Sequence, residues 1–208
     1  MTNVSRETAV LTAYPEAKTG LTNFARILET TAIERGLLGP GEAPKVWDRH
    51  IGNSIVLETL IPEGCSLIDI GTGAGLPGIA LGIIRPDLAV HLIEPKQRGV
   101  EFLEETINLL GLTNIQIHRA RAEEMHGQLV ADVVTARAVA SVAQLIAWGE
   151  PLMEHHGKLV LLKGEKADIE LAEAKPTMRK HGLILDEVVF LGEGLLLEPT
   201  RAVVLNRK

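Results

Sequence analysis

Closely spaced glycines follow a short apolar stretch between residues 67 and 78. The segment is Leu-Ile-Asp-Ile-Gly-Thr-Gly-Ala-Gly-Leu-Pro-Gly. Gly71, Gly73 and Gly75 allow the backbone to turn sharply and to approach a ligand closely. An apolar strand before these glycines and a helical run after them predict a strand–turn–helix unit, which is the usual seat of a nucleotide-type cofactor.

The residues around this glycine turn bear on which cofactor it holds. Gly73, Gly75 and Gly78 also fit the spacing G-x-G-x-x-G, so a dinucleotide is one alternative. Pro77 lacks the backbone N–H that a pyrophosphate needs at a helix start, and the Asp69 carboxylate would repel phosphates. S-adenosylmethionine carries a sulfonium and an ammonium group and no phosphate. The charge of Asp69 therefore favours S-adenosylmethionine.

Further candidate residues follow the next two predicted strands, at the strand ends where ligands bind in parallel sheets. Glu94 ends the second strand and could accept hydrogen bonds from both ribose hydroxyls of a nucleoside. Ala122 and Glu123 follow the third strand, where backbone N–H groups and a side chain can bind adenine. The structural alternatives are a solvated carboxylate at Glu94 and a helix start with acidic residues at Glu123.

Two basic residues follow the fourth and fifth predicted strands. Arg137 is the one charged side chain of segment 135–141, and it could hold the cofactor carboxylate or a substrate phosphate. A surface salt bridge is the alternative for Arg137. Lys163 could meet a substrate phosphate or lie solvated at a helix start. Segment 135–141 lacks the Asn/Asp-Pro-Pro-Tyr/Phe signature used to methylate exocyclic amines.

The chain offers few groups for nucleophilic or metal chemistry. Its single cysteine, Cys65, precedes the first strand and is at the wrong end of the sheet to attack a pyrimidine. The seven histidines lack metal-ligand spacing, so no metal site is predicted. Guanine N7 has a free lone pair and needs no deprotonation before it attacks a methyl group. Methylation at that atom can therefore depend on orientation and electrostatics alone.

The order of predicted elements indicates how these residues are positioned. Strands and helices alternate from residue 66 onward, which predicts a Rossmann-like α/β fold with a parallel sheet covered on both faces. Two last strands joined by a turn predict a hairpin, which makes the sheet seven-stranded and mostly parallel. The predicted strands cover 66–70, 89–94, 115–118, 131–136, 158–163, 184–191 and 201–206. The predicted helices cover about 76–85, 98–110, 141–154 and 165–181.

Composition limits the class of protein. A chain of 208 residues can bury one good core, and helical periodicity before residue 60 predicts an N-terminal helical extension over 1–60. There is no apolar run of membrane-spanning length, no signal peptide and no possible internal disulfide, so we expect a cytoplasmic protein without a membrane partner. The net charge of −6 argues against non-specific coating of nucleic acid but leaves room for a local basic face.

Taken together, the motifs resemble the RsmG family, also called GidB, of small-subunit ribosomal RNA guanine-N7 methyltransferases. The resemblance covers roughly residues 20–165 in order. It depends on Trp47-Asp-Arg-His-Ile-Gly-Asn-Ser, Asp69-Ile-Gly-Thr-Gly-Ala-Gly-Leu-Pro-Gly, Arg121-Ala-Glu-Glu, Arg137-Ala-Val-Ala-Ser and Leu162-Lys-Gly. Asn53 stands where many members carry Asp.

This resemblance implies a class I methyltransferase fold, S-adenosylmethionine as cofactor, and 16S ribosomal RNA or a small-subunit precursor as partner. The order of elements predicts a methyltransferase domain over 61–208. We expect it to act as a monomer, with Arg137 as its catalytic residue. The implied cofactor contacts are Gly71, Leu76, Ala122, Glu123 and Arg137. We expect Arg49, His50 and Lys163 to meet the substrate.

Two other functions stay open from the residues alone. On the same fold, a small-molecule methyltransferase would use Arg49, His50 and Arg137 to line a closed pocket. A nucleotide-binding dehydrogenase or sensor would use the glycine turn without any methyl transfer. Binding of NAD in place of S-adenosylhomocysteine would identify the second of these.

Overall fold

A seven-stranded sheet forms the centre of the protein, in a computed structural model that describes residues 5–137 and 140–208. The strands are β1 (Ser66–Ile70), β2 (Ala89–Ile93), β3 (Ile115–His118), β4 (Ala131–Arg137), β5 (Met153–Lys163), β6 (Leu183–Leu191) and β7 (Thr200–Arg207). Their order across the sheet is β3-β2-β1-β4-β5-β7-β6. β1 to β5 run parallel, and β7 runs antiparallel between β5 and β6. The predicted seven-stranded, mostly parallel α/β sheet is confirmed.

Helices cover both faces of this sheet. The helices are α1 (Arg6–Ala13), α2 (Lys18–Ile27), α3 (Asn53–Ile55), α4 (Gly78–Ile84), α5 (Gln97–Leu110), α6 (Val142–Gly149) and α7 (Ala167–Lys180). A π-helical turn (Leu28–Ala32) continues α2, and irregular helical turns surround α3: Pro40–Lys45, Val46–Gly52 and Val56–Leu60. Between β3 and β4 the chain forms only a short 3₁₀ helix (Ala122–Met125).

One helix is shorter, and the strand after it longer, than the sequence predicts. The predicted helix over 141–154 ends at Gly149, and β5 begins at Met153 instead of residue 158. Pro151 has no N–H to continue an α-helix, and the chain passes through a 3₁₀ turn instead. The early part of β5 pairs irregularly with β4, because the register shifts between Ala131 and Val133.

The N-terminal extension is part of the main hydrophobic core. Along β1, Leu67 packs into the cluster on one face of the sheet and Ile68 into the cluster on the other, because strand side chains alternate. The Leu67 cluster also contains Phe24 of α2 and Leu103 of α5. The Ile68 cluster contains Leu145 of α6. The extension therefore covers one face of the sheet together with α4 and α5, and the boundary near residue 60 stays a prediction.

Truncation of Phe24 tests this shared core. We expect Phe24→Ala to lower the free energy of unfolding by about 3–5 kcal/mol, because the ring is fully buried. Leu109→Ala is the control, since Leu109 is 74 % exposed, and it should change little. Urea denaturation should show one transition for both variants. A separate early transition that Phe24→Ala alone shifts would mean that the extension folds independently.

Candidate active site

The turn after β1 has the sharp geometry that its glycines predict. Gly71, Gly73 and Gly75 have φ angles of 66°, 57° and 85°, in the left-handed region that favours glycine. The N–H groups of Gly75 and Leu76 both donate to the carbonyl oxygen of Thr72, at 3.0 and 3.1 Å. The turn is therefore compact and internally hydrogen-bonded before α4 begins at Gly78.

Asp69 holds both ends of this turn. Its side chain is fully buried, and Oδ2 accepts hydrogen bonds from Thr72 Oγ1 at 2.6 Å and from the Gly78 N–H at 2.8 Å. Its other oxygen, Oδ1, is buried and has no hydrogen-bond partner within residues 5–137 and 140–208. Burial raises the pKa of Asp69 to about 6, although both hydrogen bonds oppose the shift. A negative charge of this kind suits a cationic ligand at the turn and disfavours a phosphate.

A cleft of about 410 Å³ opens at the carboxyl ends of β1, β2 and β3. The predicted cofactor residues on its wall are Gly71, Gly73, Glu94, Ala122 and Glu123. They come from three separate segments of the chain, as the rule for parallel sheets predicts. Trp148 of α6 also lines this cleft.

Glu94 is fixed in the wall of this cleft, which we call the cofactor cleft because the predicted cofactor residues line it. Its carboxylate accepts a hydrogen bond from the Gly73 N–H at 3.2 Å and another from the Lys96 N–H at 2.9 Å. A Cβ at Gly99 would lie 2.8 Å from Glu94 Cγ, so only glycine leaves room for the side chain. The carboxylate therefore has a set position beside the glycine turn, which differs from a freely solvated strand-end carboxylate.

Gly75 and Leu76 take part in the turn without lining the cofactor cleft. Leu76 is buried in the core, and a Cβ at Gly75 would lie 2.5 Å from Ile79 Cδ1. The N–H groups of both residues already donate within the turn. Both residues therefore have a structural role in the turn, and their contacts with a cofactor stay a prediction.

A second cleft, of about 440 Å³, contains all the candidate substrate residues. It is lined by Arg49, His50, Arg137 and Lys163, and also by Asn53. Arg137 lies on this second cleft and not on the wall of the cofactor cleft. Ala138 and Val139, which belong to the predicted Arg-Ala-Val-Ala-Ser motif, lie outside the described residues.

Arg137 contacts the N-terminal extension. Its Nη1 lies 3.2 Å from His50 Nδ1 and donates to the carbonyl oxygen of Arg49 at 3.4 Å. His50 is buried, and its Nε2 lies 2.8 Å from Glu42 Oε2. Burial, and then the charge of Arg137, hold the pKa of His50 below its usual value. Burial also lowers the pKa of Arg137.

Protein groups surround two of the candidate substrate residues, His50 and Lys163. Both ring nitrogens of His50 are engaged by protein groups, so a contact of His50 with a substrate stays a prediction. The Lys163 side chain is only 7 % exposed, and its Nζ contacts Glu170 Oε2 at 2.6 Å and donates to the Ala140 carbonyl at 2.9 Å. Lys163 therefore ties β5 to the segment after β4, and its contact with a substrate phosphate stays a prediction. Arg49 is exposed on the cleft and remains available to a substrate.

Three residues of the site were not predicted from the sequence, and only one of them has a local signal there. Glu42 lies in a Pro- and Gly-rich segment without a motif, and its contact with His50 arises from packing of the extension. Trp148 reaches the cofactor cleft from a helix with no motif around it. Thr72 had a signal, because a hydroxyl three residues after a buried Asp commonly hydrogen-bonds to that carboxylate.

Two other kinds of site are absent from the described part of the chain. Residues 5–137 and 140–208 contain no group of three or more His, Cys, Asp or Glu side chains arranged to hold a metal ion. No helix in those ranges has the length and apolarity needed to cross a bilayer.

Comparison with known proteins identifies the family. The family model described as GidB, rRNA small subunit methyltransferase G, matches residues 17–201. The chain belongs to this family. A GidB relative from Thermobifida fusca, named ribosomal RNA small subunit methyltransferase G, is 46 % identical over 181 residues, which cover 87 % of this chain and 76 % of the relative. A relative of the same name from Arthrobacter sp. is 47 % identical over 180 residues, covering 86 % and 83 % of the two chains.

Solved structures agree with the fold. A SAM-dependent methyltransferase from Aquifex aeolicus superimposes with a TM-score of 0.58 at 18 % identity, covering 78 % of this chain and 92 % of that one. M. jannaschii TYW2 in complex with AdoMet superimposes with a TM-score of 0.58 at 20 % identity, covering 76 % and 77 % of the two chains. The GidB chain thus has the class I methyltransferase fold.

The buried charge of Asp69 predicts how stability depends on pH. Its pKa rises from the usual 3.8 to about 6 on folding, so its contribution to the free energy of unfolding falls as the pH rises through that range. Asp69→Asn removes this titration. We expect the stability of the variant relative to wild type to rise by on the order of 2–3 kcal/mol between about pH 4 and pH 7, measured by urea denaturation. A constant difference over that range would contradict the raised pKa.

Proposed function

We propose that this protein transfers the methyl group of S-adenosylmethionine to N7 of a guanine in 16S ribosomal RNA. The observation that carries the proposal is the register of β1 and β4, in which Ile70 pairs with Ala136. Gly71 and Arg137 therefore leave adjacent strands side by side. Gly71 lines the cofactor cleft and Arg137 lines the cleft with Arg49, so the two clefts are neighbours, as a transfer between two bound molecules requires.

The residues of the cofactor cleft fit S-adenosylmethionine. In this proposal the Glu94 carboxylate accepts hydrogen bonds from the ribose hydroxyls and the segment at Ala122 and Glu123 binds adenine, which their positions on the cleft wall support. The buried Asp69 carboxylate gives the turn a negative charge that suits a sulfonium and an ammonium group. When bound, the cofactor supplies an electrophilic methyl group. The family name and the methyltransferase fold of the structural neighbours support this choice.

The second cleft suits a nucleic-acid substrate that needs no general base. Arg49 is exposed there and can bind a phosphate, and its guanidinium makes no hydrogen bond or ion pair within the described residues. Arg137 supplies a positive charge on the second cleft, beside the strand end that leads to Gly71, where it can orient the cofactor carboxylate or a substrate phosphate. Guanine N7 is nucleophilic without loss of a proton. Positioning and electrostatics are therefore sufficient for the reaction.

The proposal includes the setting in which the enzyme works. The substrate is 16S ribosomal RNA or a precursor of the small subunit, and the relatives' names support this partner. The site of action is then the cytoplasm, and we propose that the protein acts as a monomer. A small-molecule substrate is less consistent with those names.

Cofactor binding can be followed through Trp148, which lines the cofactor cleft. In a Trp47→Phe background Trp148 is the one remaining tryptophan. We expect S-adenosylhomocysteine to change its fluorescence, and Glu94→Gln to weaken the affinity about tenfold through loss of a charged acceptor. Glu104→Gln, on the exposed face of α5, is the control. Binding of NAD without binding of S-adenosylhomocysteine would contradict a methyltransferase.

Methyl transfer is tested with labelled S-adenosylmethionine and 16S RNA from a strain that lacks this activity. We expect label at a guanine N7 in free RNA or in the 30S particle and none in small metabolites. Arg49→Ala should raise KM for the RNA. It should also reduce the slope of log Kd against log salt by about the amount expected for the loss of one phosphate contact. Arg179→Ala removes an exposed charge on α7 and should change neither quantity. Absence of label in both RNA forms would contradict the proposed substrate.

A further inference from the structure

We propose that Glu42 and His50 are positioning residues that hold Arg137 at the transfer site through an ordered hydrogen-bond chain, in which His50 is neutral and protonated on Nε2. The chain runs from Glu42 in the extension, through His50, to the end of β4. This inference rests on the proposed function, because that function gives Arg137 its task.

The tautomer follows from the donors and acceptors on each group. A guanidinium has only N–H donors, so His50 Nδ1, at 3.2 Å from Arg137 Nη1, must be the acceptor. The one ring proton of neutral His50 is then on Nε2, and it is donated to Glu42 Oε2 at 2.8 Å. With the opposite tautomer, two N–H groups would face each other. Glu42 therefore selects the form of His50 that can accept from Arg137.

The charges around His50 also favour this neutral form. The groups that face it are Glu42, Arg137 and Arg49, while Lys45 pairs with the other oxygen of Glu42 at 2.9 Å. An imidazolium would place its charge against the guanidinium of Arg137 with no acceptor between them. Because His50 is buried, water cannot screen that repulsion well.

This hydrogen-bond chain explains why the extension contributes to the site. Arg137 has a long, flexible side chain, and its two described hydrogen-bond contacts both belong to the extension, at His50 and at the Arg49 carbonyl. Fixing the guanidinium in advance removes an entropic cost that would otherwise be met during the reaction. His50 thereby acts through Arg137 and not by contact with the substrate.

Three variants at Glu42 and Arg137 test the chain by activity. We expect Glu42→Ala to lower kcat about tenfold or more, because either His50 tautomer then forms. Glu42→Gln should restore most of the activity, since its amide oxygen still accepts from Nε2–H. In an Arg137→Ala background, Glu42→Ala should cause no further loss. Glu34→Ala, which removes an exposed acid elsewhere in the extension, is the matched control.

A purely structural role of Glu42 would give different results. Glu42→Ala would then lower the thermal midpoint along with kcat. Glu42→Gln would be no more active than Glu42→Ala, although its amide oxygen can still accept a hydrogen bond. The loss of activity in Glu42→Ala would also add to that in Arg137→Ala. Any of these three outcomes would overturn the positioning role.

The tautomer can be measured without an activity assay. In ¹⁵N-histidine-labelled protein near pH 7.5, the His50 signals, assigned by their loss in His50→Asn, should be those of neutral Nε2–H imidazole. An imidazolium or an Nδ1–H tautomer would overturn the proposal. If the wild-type protein methylates no RNA, the proposed function fails. The spectrum still decides whether the hydrogen-bond chain from Glu42 to Arg137 exists. If the wild type is active and Glu42→Ala has the same kcat, only the positioning role fails.

Discussion

The buried carboxylate of Asp69 is the constraint on which the site depends. It joins the hydroxyl of Thr72 to the first N–H of α4, and it thereby closes the turn between β1 and its helix. This closure brings the Gly73 N–H to Glu94, which follows the neighbouring strand. The cost is a carboxylate that burial makes harder to ionise, and its second oxygen has no partner within the described residues. A site for a cationic cofactor is one place where such a cost is useful.

A second constraint on the site comes from the N-terminal extension, which fixes the side chain of Arg137 from outside the sheet. A Rossmann-like sheet supplies strand ends, but it does not by itself fix a long side chain such as Arg137. In this protein the N-terminal extension packs into the same core as the sheet and brings His50 to the end of β4. Lys163 and Glu170 hold the other side of that loop, because Lys163 Nζ bonds to Ala140 and Glu170 accepts from the Val142 N–H. Arg137 is thus held by the extension, while Ala140 and Val142 are held by β5 and α7.

The fate of the basic residues shows why residue type alone is a weak guide to role. Arg49, Lys163 and Arg137 all carry positive charge, and all line the second cleft. Arg49 is exposed, Lys163 is paired within the protein, and Arg137 bridges the sheet to the extension. Whether a basic side chain can contact a substrate depends on which hydrogen-bond acceptors the fold places around that side chain. Those acceptors come from segments far away along the chain.

The sequence by itself determined the sheet, the glycine turn and the cofactor cleft. Hydrophobic periodicity and glycine spacing are local signals, and strands of a parallel sheet must end at a common edge, so Gly73, Glu94 and Ala122 meet there. Only the tertiary structure decided the hydrogen-bond partners of His50 and Lys163, and it placed Glu42 and Trp148 on the two clefts although no motif predicts them there. The physical reason is that a hydrogen-bond partner is chosen by packing between distant segments. A sequence motif records the backbone geometry of its own segment and not the side chains that will face it.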